Sequence, residues 1–178
     1  RLGDLIMLST ALNALRQRFP QARIDFMTSP EGCHLLRNNA WVDRLIPFRQ
    51  PWPFRKAPLS SWRTYLACIG RLRRERYDLA VDFQGDPRGV GLLYGAAIPV
   101  RVSFSDFGAA PFCTRCMKTP SHALHQMKRS IALMNTFFEM SIQDLQPRWP
   151  SEDNPASAAI PRADILIHCA TARKGKDW

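Results

Sequence analysis

No run of about 18 apolar residues occurs along the 178 residues, so a membrane-crossing helix is not expected. Acidic residues are scarce beside basic ones: 15 Asp and Glu against 25 Lys and Arg, a net charge of +10. Such an excess favours a polyanionic partner, whether nucleic acid, an anionic membrane surface or a phosphorylated substrate. Cys33, Cys68, Cys113, Cys116 and Cys169 are odd in number and irregular in spacing. That argues against a disulfide framework and for reduced thiols in a cytoplasmic protein. Glycines are missing where a dinucleotide site needs them: no G-x-G-x-x-G follows a strand, and "GDPRGVG" has the wrong spacing. No secretory leader is expected, because Arg1 leads straight into an amphipathic pattern. What remains is the make-up of a globular protein, 46% apolar and 22% charged, at a length that suits one domain of ordinary size.

Leu5, Leu8, Leu12, Leu15 and Phe19 recur in steps of three and four and predict a helix over 5–19, ended by Pro20. "RIDFMTS" (23–29) reads as a strand, and 30–40 as a short helix with a proline in its first turn. A second strand is expected over 42–48, then a Pro- and Trp-rich loop over 50–58. Leu59, Trp62, Leu66, Ile69 and Leu72 mark a helix running into the basic "RLRRER" (71–76). "YDLAVDF" (77–83) reads as a buried parallel strand. The turn "QGDPRG" and the helix "VGLLYGAA" follow, then a strand over 100–105, a loop, and a helix marked by Leu124, Met127, Ile131, Met134 and Phe138. Residues 147–163 carry four prolines and little periodicity, as a linker does, and 164–170 reads as a fresh strand.

Strands and helices alternating at this spacing predict an α/β fold with a parallel sheet. "RLGD" reads as the turn from a strand into a helix, so a further strand is expected ahead of residue 1. The expected organisation is a Rossmann-like domain over 1–146, a linker over 147–163, and the start of a second domain over 164–178.

Four segments resemble the bacterial heptosyltransferases of glycosyltransferase family 9. "RLGDLIMLSTAL" resembles the family's R-x-G-D segment, and "YDLAVDFQGDPRG" its Y-D-x-x-x-D-x-Q-G segment. "HQMKRSIALM" is similar to its H-x-x-x-x-x-L-x-L-L helix, and "ILIHCATARKGKDW" to the opening of its second domain, where a turn leads to K-x-W. They fall in the family's order and spread along the whole chain. The resemblance implies two Rossmann-like domains facing across a cleft, the B-type glycosyltransferase arrangement, with the acceptor on the first and the nucleotide sugar on the second. It implies inverting transfer of heptose from ADP-heptose to the lipopolysaccharide inner core, with no metal and no cofactor.

Inverting transfer needs a base to take the acceptor hydroxyl's proton. The resemblance places that role on Asp4, at the end of an open α/β sheet where ligands bind. The plainer reading of Asp4 is a helix cap, and the two roles are compatible. The resemblance puts Lys176 on the donor diphosphate, where a cation stabilises charge on the leaving group. Thr171, in the preceding turn, could donate to phosphate. Without the family, Lys176 is an ordinary solvated lysine. The implied acceptor carries carboxylates and phosphates, which arginine forks suit. Arg55 and Lys56 fall in a loop matching a basic loop of the family, Arg63 begins the next helix, and Arg88 stands at a helix start that favours anions. Asp82 and Gln84 either line the cleft or hold the turn, and His125 has a structural role at least as readily as a functional one. One departure stands out: the family's R-x-G near Arg101 is "RVS" here, with Ser103 in place of glycine.

Two rival readings bear on the same residues. Cys113, Cys116, His122 and His125 have ligand types that suit zinc, at a spacing short for a common finger. A basic nucleic-acid-binding α/β domain fits the charge, although the basic residues are scattered and no recognised binding motif appears.

Overall fold

The first predicted helix forms as α1, Leu2–Arg18, in a computed structural model that describes residues 2–49, 58–120 and 125–143. Then follow β1 (Asp25–Thr28), α2 (Pro30–Leu35), β2 (Arg44–Pro47), α3 (Leu59–Glu75), β3 (Leu79–Val81), α4 (Pro87–Gly95), β4 (Val100–Phe104), β5 (Arg115–Met117) and α5 (Gln126–Phe138). Every strand pairing described is parallel. β1 pairs with β2, and β3, β4 and β5 form a second sheet in that order.

The two sheets share the same helical layers, because alternate residues of each strand face opposite sides. On one side, Leu5, Leu8, Ala11 and Leu15 of α1 and Leu133 and Met134 of α5 pack on Phe26, Val81, Val102 and Phe104. Phe19 and Phe138 close that layer edge to face, with ring centroids 5.8 Å apart. On the other side, Tyr65, Ile69 and Leu72 of α3 and Leu92 and Ala96 of α4 pack on Met27, Ile46 and Ala80. The result is an α/β/α sandwich with parallel strands, as expected. Among the described residues no helix is long and apolar enough to cross a membrane.

The departures from expectation have local causes. The helix predicted over 30–40 stops at Leu35, with Leu36 leaving helical geometry, and further on the Asn39 side chain accepts from the Trp41 backbone N–H at 2.9 Å and turns the chain. The helix expected from Val90 begins at Pro87, because Asp86 caps it: its carboxylate accepts from the Arg88 backbone N–H at 2.9 Å, and Pro87 suits the first turn. The loop after β4 contains two 3₁₀ turns, Asp106–Gly108 and Ala110–Phe112, and the short strand β5. Leu124, the linker over 147–163 and the strand over 164–170 lie outside the described residues.

Candidate functional site

Parallel strands carry their C-terminal ends to one edge of the sandwich, and the helices that follow begin there. Thr28 ends β1 and Ser29 caps α2, its hydroxyl accepting from the Gly32 backbone N–H at 3.2 Å. The first turn of α1 lies against this corner. A Cβ on Gly32 would stand 2.5 Å from Thr28 Oγ1 and 2.6 Å from Leu5 Cδ1, so glycine lets these side chains of β1 and α1 pack directly on the start of α2. Asp4, next to Leu5, therefore sits at the ligand-binding edge. It lies inside the first turn of α1 rather than ahead of the helix, and it is half-buried.

A second corner forms where β3 ends. Asp82 accepts from Ser103 Oγ at 2.8 Å and from the Gly85 backbone N–H at 2.7 Å. Gly85 has φ +70, and a Cβ on it would come within 2.9 Å of Phe104 Cβ, so the turn needs glycine twice over. Burial pushes the Asp82 carboxyl above the ordinary carboxylate range, while the bonds from Ser103 and Gly85 pull the other way. Asp82 thus holds the turn, one of its two expected roles. The serine that departs from the family pattern is the side chain that satisfies it, on a fully buried position of β4.

Arg88 stands in the first turn of α4, as expected of an anion ligand, but its guanidinium is engaged. Nε donates to Asp86 Oδ1 at 2.7 Å and Nη2 bonds Asp86 Oδ2. Burial alone would raise the Asp86 carboxyl, yet the Arg88 side chain and backbone N–H take it below its usual value. The Arg88 carbonyl accepts from the Tyr65 hydroxyl at 2.8 Å, which fixes α4 to α3. Arg63 is exposed on the second turn of α3. Asp4, Arg63 and Arg88 therefore share one edge of the fold, each on an early helical turn. Arg55, Lys56, Thr171 and Lys176 lie outside the described residues.

Arg101 is built into the structure: Nε donates to the Phe112 carbonyl at 2.7 Å, Nη1 bonds the Ile98 carbonyl, and the guanidinium lies 5.2 Å from the Tyr94 ring centroid. His125 is exposed and caps α5 without a side-chain bond. Two residues of α5 escaped the sequence reading. Gln126 Nε2 donates to the Phe83 carbonyl at 3.2 Å, and Arg129 Nη1 donates to Gln126 Oε1 at 3.2 Å while lying over Phe104. They tie α5 to the end of β3, and their only sequence signal was a three-residue spacing in a polar first turn. Of the zinc motif, His122 lies outside the described residues, among which no three His, Cys, Asp or Glu side chains converge as metal ligands. Burial, reinforced by the Cys116 thiol, pushes the Cys113 thiol up to about 11.

The family model described as glycosyltransferase family 9 (heptosyltransferase) matches residues 65–178. Among solved structures, the chain is similar to a family 9 glycosyl transferase from Veillonella parvula DSM 2008, at 18% identity and a TM-score of 0.67, over 83% of this chain and 40% of that one. It is similar to the E. coli heptosyltransferase WaaC with ADP, at 21% identity and a TM-score of 0.59, over 76% and 43%. E. coli ADP-heptose lps heptosyltransferase II aligns at 22% identity and a TM-score of 0.58, over 74% and 37%. The chain thus spans less than half the length of each, and at these identities the likeness is one of fold. No curated protein matches the chain.

Proposed function

This chain belongs to glycosyltransferase family 9, and from that membership we propose that the protein carrying it transfers heptose from ADP-heptose to the inner core of lipopolysaccharide, inverting the anomeric centre without a metal. Residues 1–146 form the acceptor-binding domain, 147–163 the linker, and 164–178 the start of the nucleotide-sugar-binding domain. Asp4 takes the proton of the acceptor hydroxyl as its oxygen attacks the anomeric carbon. The bond from that carbon to the diphosphate breaks on the opposite face, and ADP leaves. Lys176 and Thr171 meet the diphosphate and neutralise its growing charge. Arg55, Lys56, Arg63 and Arg88 hold the anionic acceptor. The work is done in the cytoplasm, with peripheral contact at the inner membrane face.

The observation that carries the reading is the place of Asp4: a half-buried carboxylate on the first turn of α1, packed beside the C-terminal end of β1 through Leu5, Gly32 and Thr28. In open α/β sheets that edge receives the ligand. The test uses the intact protein, ADP-heptose and a truncated lipopolysaccharide core, with the product followed by mass spectrometry. Wild type is expected to add one heptose. Asp4→Asn is expected to keep acceptor affinity and transfer at least about a hundredfold more slowly, the scale of a lost general base. An Asp4→Asn enzyme of undiminished rate would leave the aspartate a helix-terminal charge only. A wild-type protein that transfers nothing would reopen both donor and acceptor.

A further inference from the structure

Apart from Arg63, the outward face of α3 is used neither by the core nor by the candidate site. Leu59 and Leu66, seven residues apart and so on one helical face, are 70% and 63% exposed. Further along lie Arg71, Arg73 and Arg74, with Arg76 just past the helix end, all exposed and none in an ion pair among the described residues. Gly70, Arg73, Arg74 and Arg76 line a shallow open depression of about 560 Å³. Glu75 does not neutralise them, because it is bound to Arg44 at 2.8 Å and Arg23 at 2.9 Å. Asp78 stands beside the cluster, in a neighbouring depression lined also by Arg73 and Arg76.

Gly70 adds an independent sign. A glycine inside a helix costs stability relative to alanine. A Cβ at Gly70 would meet nothing within 4 Å, so packing within the described fold does not ask for glycine. It leaves bare backbone between Leu66 and the arginines, where a flat partner can approach closely.

We propose that this face of α3 docks on an anionic phospholipid surface, the arginines meeting lipid phosphates and Leu59 and Leu66 entering the interface. Binding of a helix at a lipid interface combines apolar side chains that enter the acyl boundary with arginines and lysines attracted to anionic headgroups. Exposed leucines find an apolar medium at a lipid surface. Single-stranded nucleic acid would call for aromatic platforms, and the aromatics of α3, Trp62 and Tyr65, pack inward. The helix runs from the ligand-binding edge, where Leu59 lies, to the opposite edge, where the arginines lie, so a domain resting along α3 has its ligand-binding edge beside the membrane. The purpose of this docking rests on the proposed transfer to a lipid-anchored acceptor, whereas the docking itself is measured apart from it.

The test is co-sedimentation of the intact protein with phosphatidylcholine vesicles, with or without about one third phosphatidylglycerol. Wild type is expected to bind the anionic vesicles, to release them as salt rises, and to ignore the neutral ones. Arg73→Glu/Arg74→Glu is expected to bind at least about tenfold more weakly, whereas Arg73→Lys/Arg74→Lys keeps binding. Leu66→Ser is expected to lose the part of binding that survives high salt. Transfer to a lipid-free soluble acceptor should stay within about twofold of wild type in the Glu variant, which also reports that it is folded. Undiminished vesicle binding by that variant overturns the proposal. So does a wild type that ignores anionic vesicles but binds an RNA oligonucleotide through these arginines. If binding depends on the arginines while wild type transfers no heptose, the docking surface stands and the transfer reading fails.

Discussion

At the N-terminal ends of the strands one network of charges joins β1, β2 and α3, whereas at the C-terminal ends the carboxylates Asp82 and Asp86 hold a turn and a helix start. Asp25 and Arg44 open β1 and β2 in register, and Arg44 holds Asp25 Oδ2 through Nε at 3.0 Å and Nη2 at 2.7 Å. The Tyr77 hydroxyl donates to the same oxygen and bridges toward β3. Arg44 and Arg23 grip Glu75 at the end of α3. At the other edge, Asp82 accepts from the Gly85 N–H within its turn, and Asp86 from the Arg88 N–H at the start of α4. There Arg88 is bound to the carboxylate of its neighbour Asp86, two residues away. The contrast is between a charge network that ties separate elements together and charges that serve a single turn or helix start, beside residues proposed to meet a ligand. It also predicts that changes at the two edges break different things.

The largest effect is expected at the structural edge. Arg44→Ala leaves the Asp25 carboxylate, 2% exposed, without its main cation. Loss of one partner of a fully buried pair costs about 3–5 kcal/mol. Arg44 is itself 36% exposed and Asp25 keeps Tyr77, so about 2 kcal/mol is expected. Urea unfolding should show it, with kcat of the folded enzyme unchanged. A stable but slow variant would erase the distinction between the edges.

A smaller effect tests which class Arg88 belongs to. If it holds the acceptor, it must exchange Asp86 for the acceptor's anion. Arg88→Ala should then raise the acceptor KM about tenfold, near 1.4 kcal/mol. Asp86→Asn should lower it, because the guanidinium is released while asparagine still caps α4. If neither variant moves KM, Arg88 joins Arg44 as a structural cation.

Local patterns were readable from the sequence and distant ones were not. Steps of three and four announced α1 and α5, since each buries one face. β5 gave no such signal: it is short, and Arg115 and Cys116 are exposed at a sheet edge. The bond between Asp25 and Arg44 spans 19 residues and depends on strand register, which periodicity does not supply. At the candidate site, the expectations for Asp4 and Arg88 came from motifs that coincide with helix starts, and the fold places both on early turns. That Arg88 is held by Asp86, two residues away, was open to a closer reading of "GDPR". Ser103 was read as a defect in a family pattern, and only the fold shows it as the donor to Asp82.

Asp82 and Glu75 carry the smallest and most diagnostic contrast, because their carboxyls shift in opposite directions. Arg44, then Arg23, hold Glu75 below the usual carboxylate range, although burial works against them. Its contribution is full above the unfolded value of about 4.3 and is lost as pH falls through the folded one. Asp82 is raised by burial, with the neighbouring Asp86 charge adding to it. Between the unfolded value of about 3.9 and its raised folded value, the native state binds more protons than the unfolded state. Stability from this group is therefore full at low pH and is lost as pH rises through the folded value. Asp82→Asn should remove that decline and leave the acid limb intact, because its amide oxygen can still accept from Ser103 and Gly85. Ser103→Gly should steepen the decline, since the buried carboxylate loses a donor, at a cost of about 1 kcal/mol in neutral solution. Unfolding free energies measured from pH 4 to 8 separate the cases. An Asp82→Asn protein with the wild-type slope would mean that Asp82 ionises without penalty, and that Ser103 is there for packing rather than for charge.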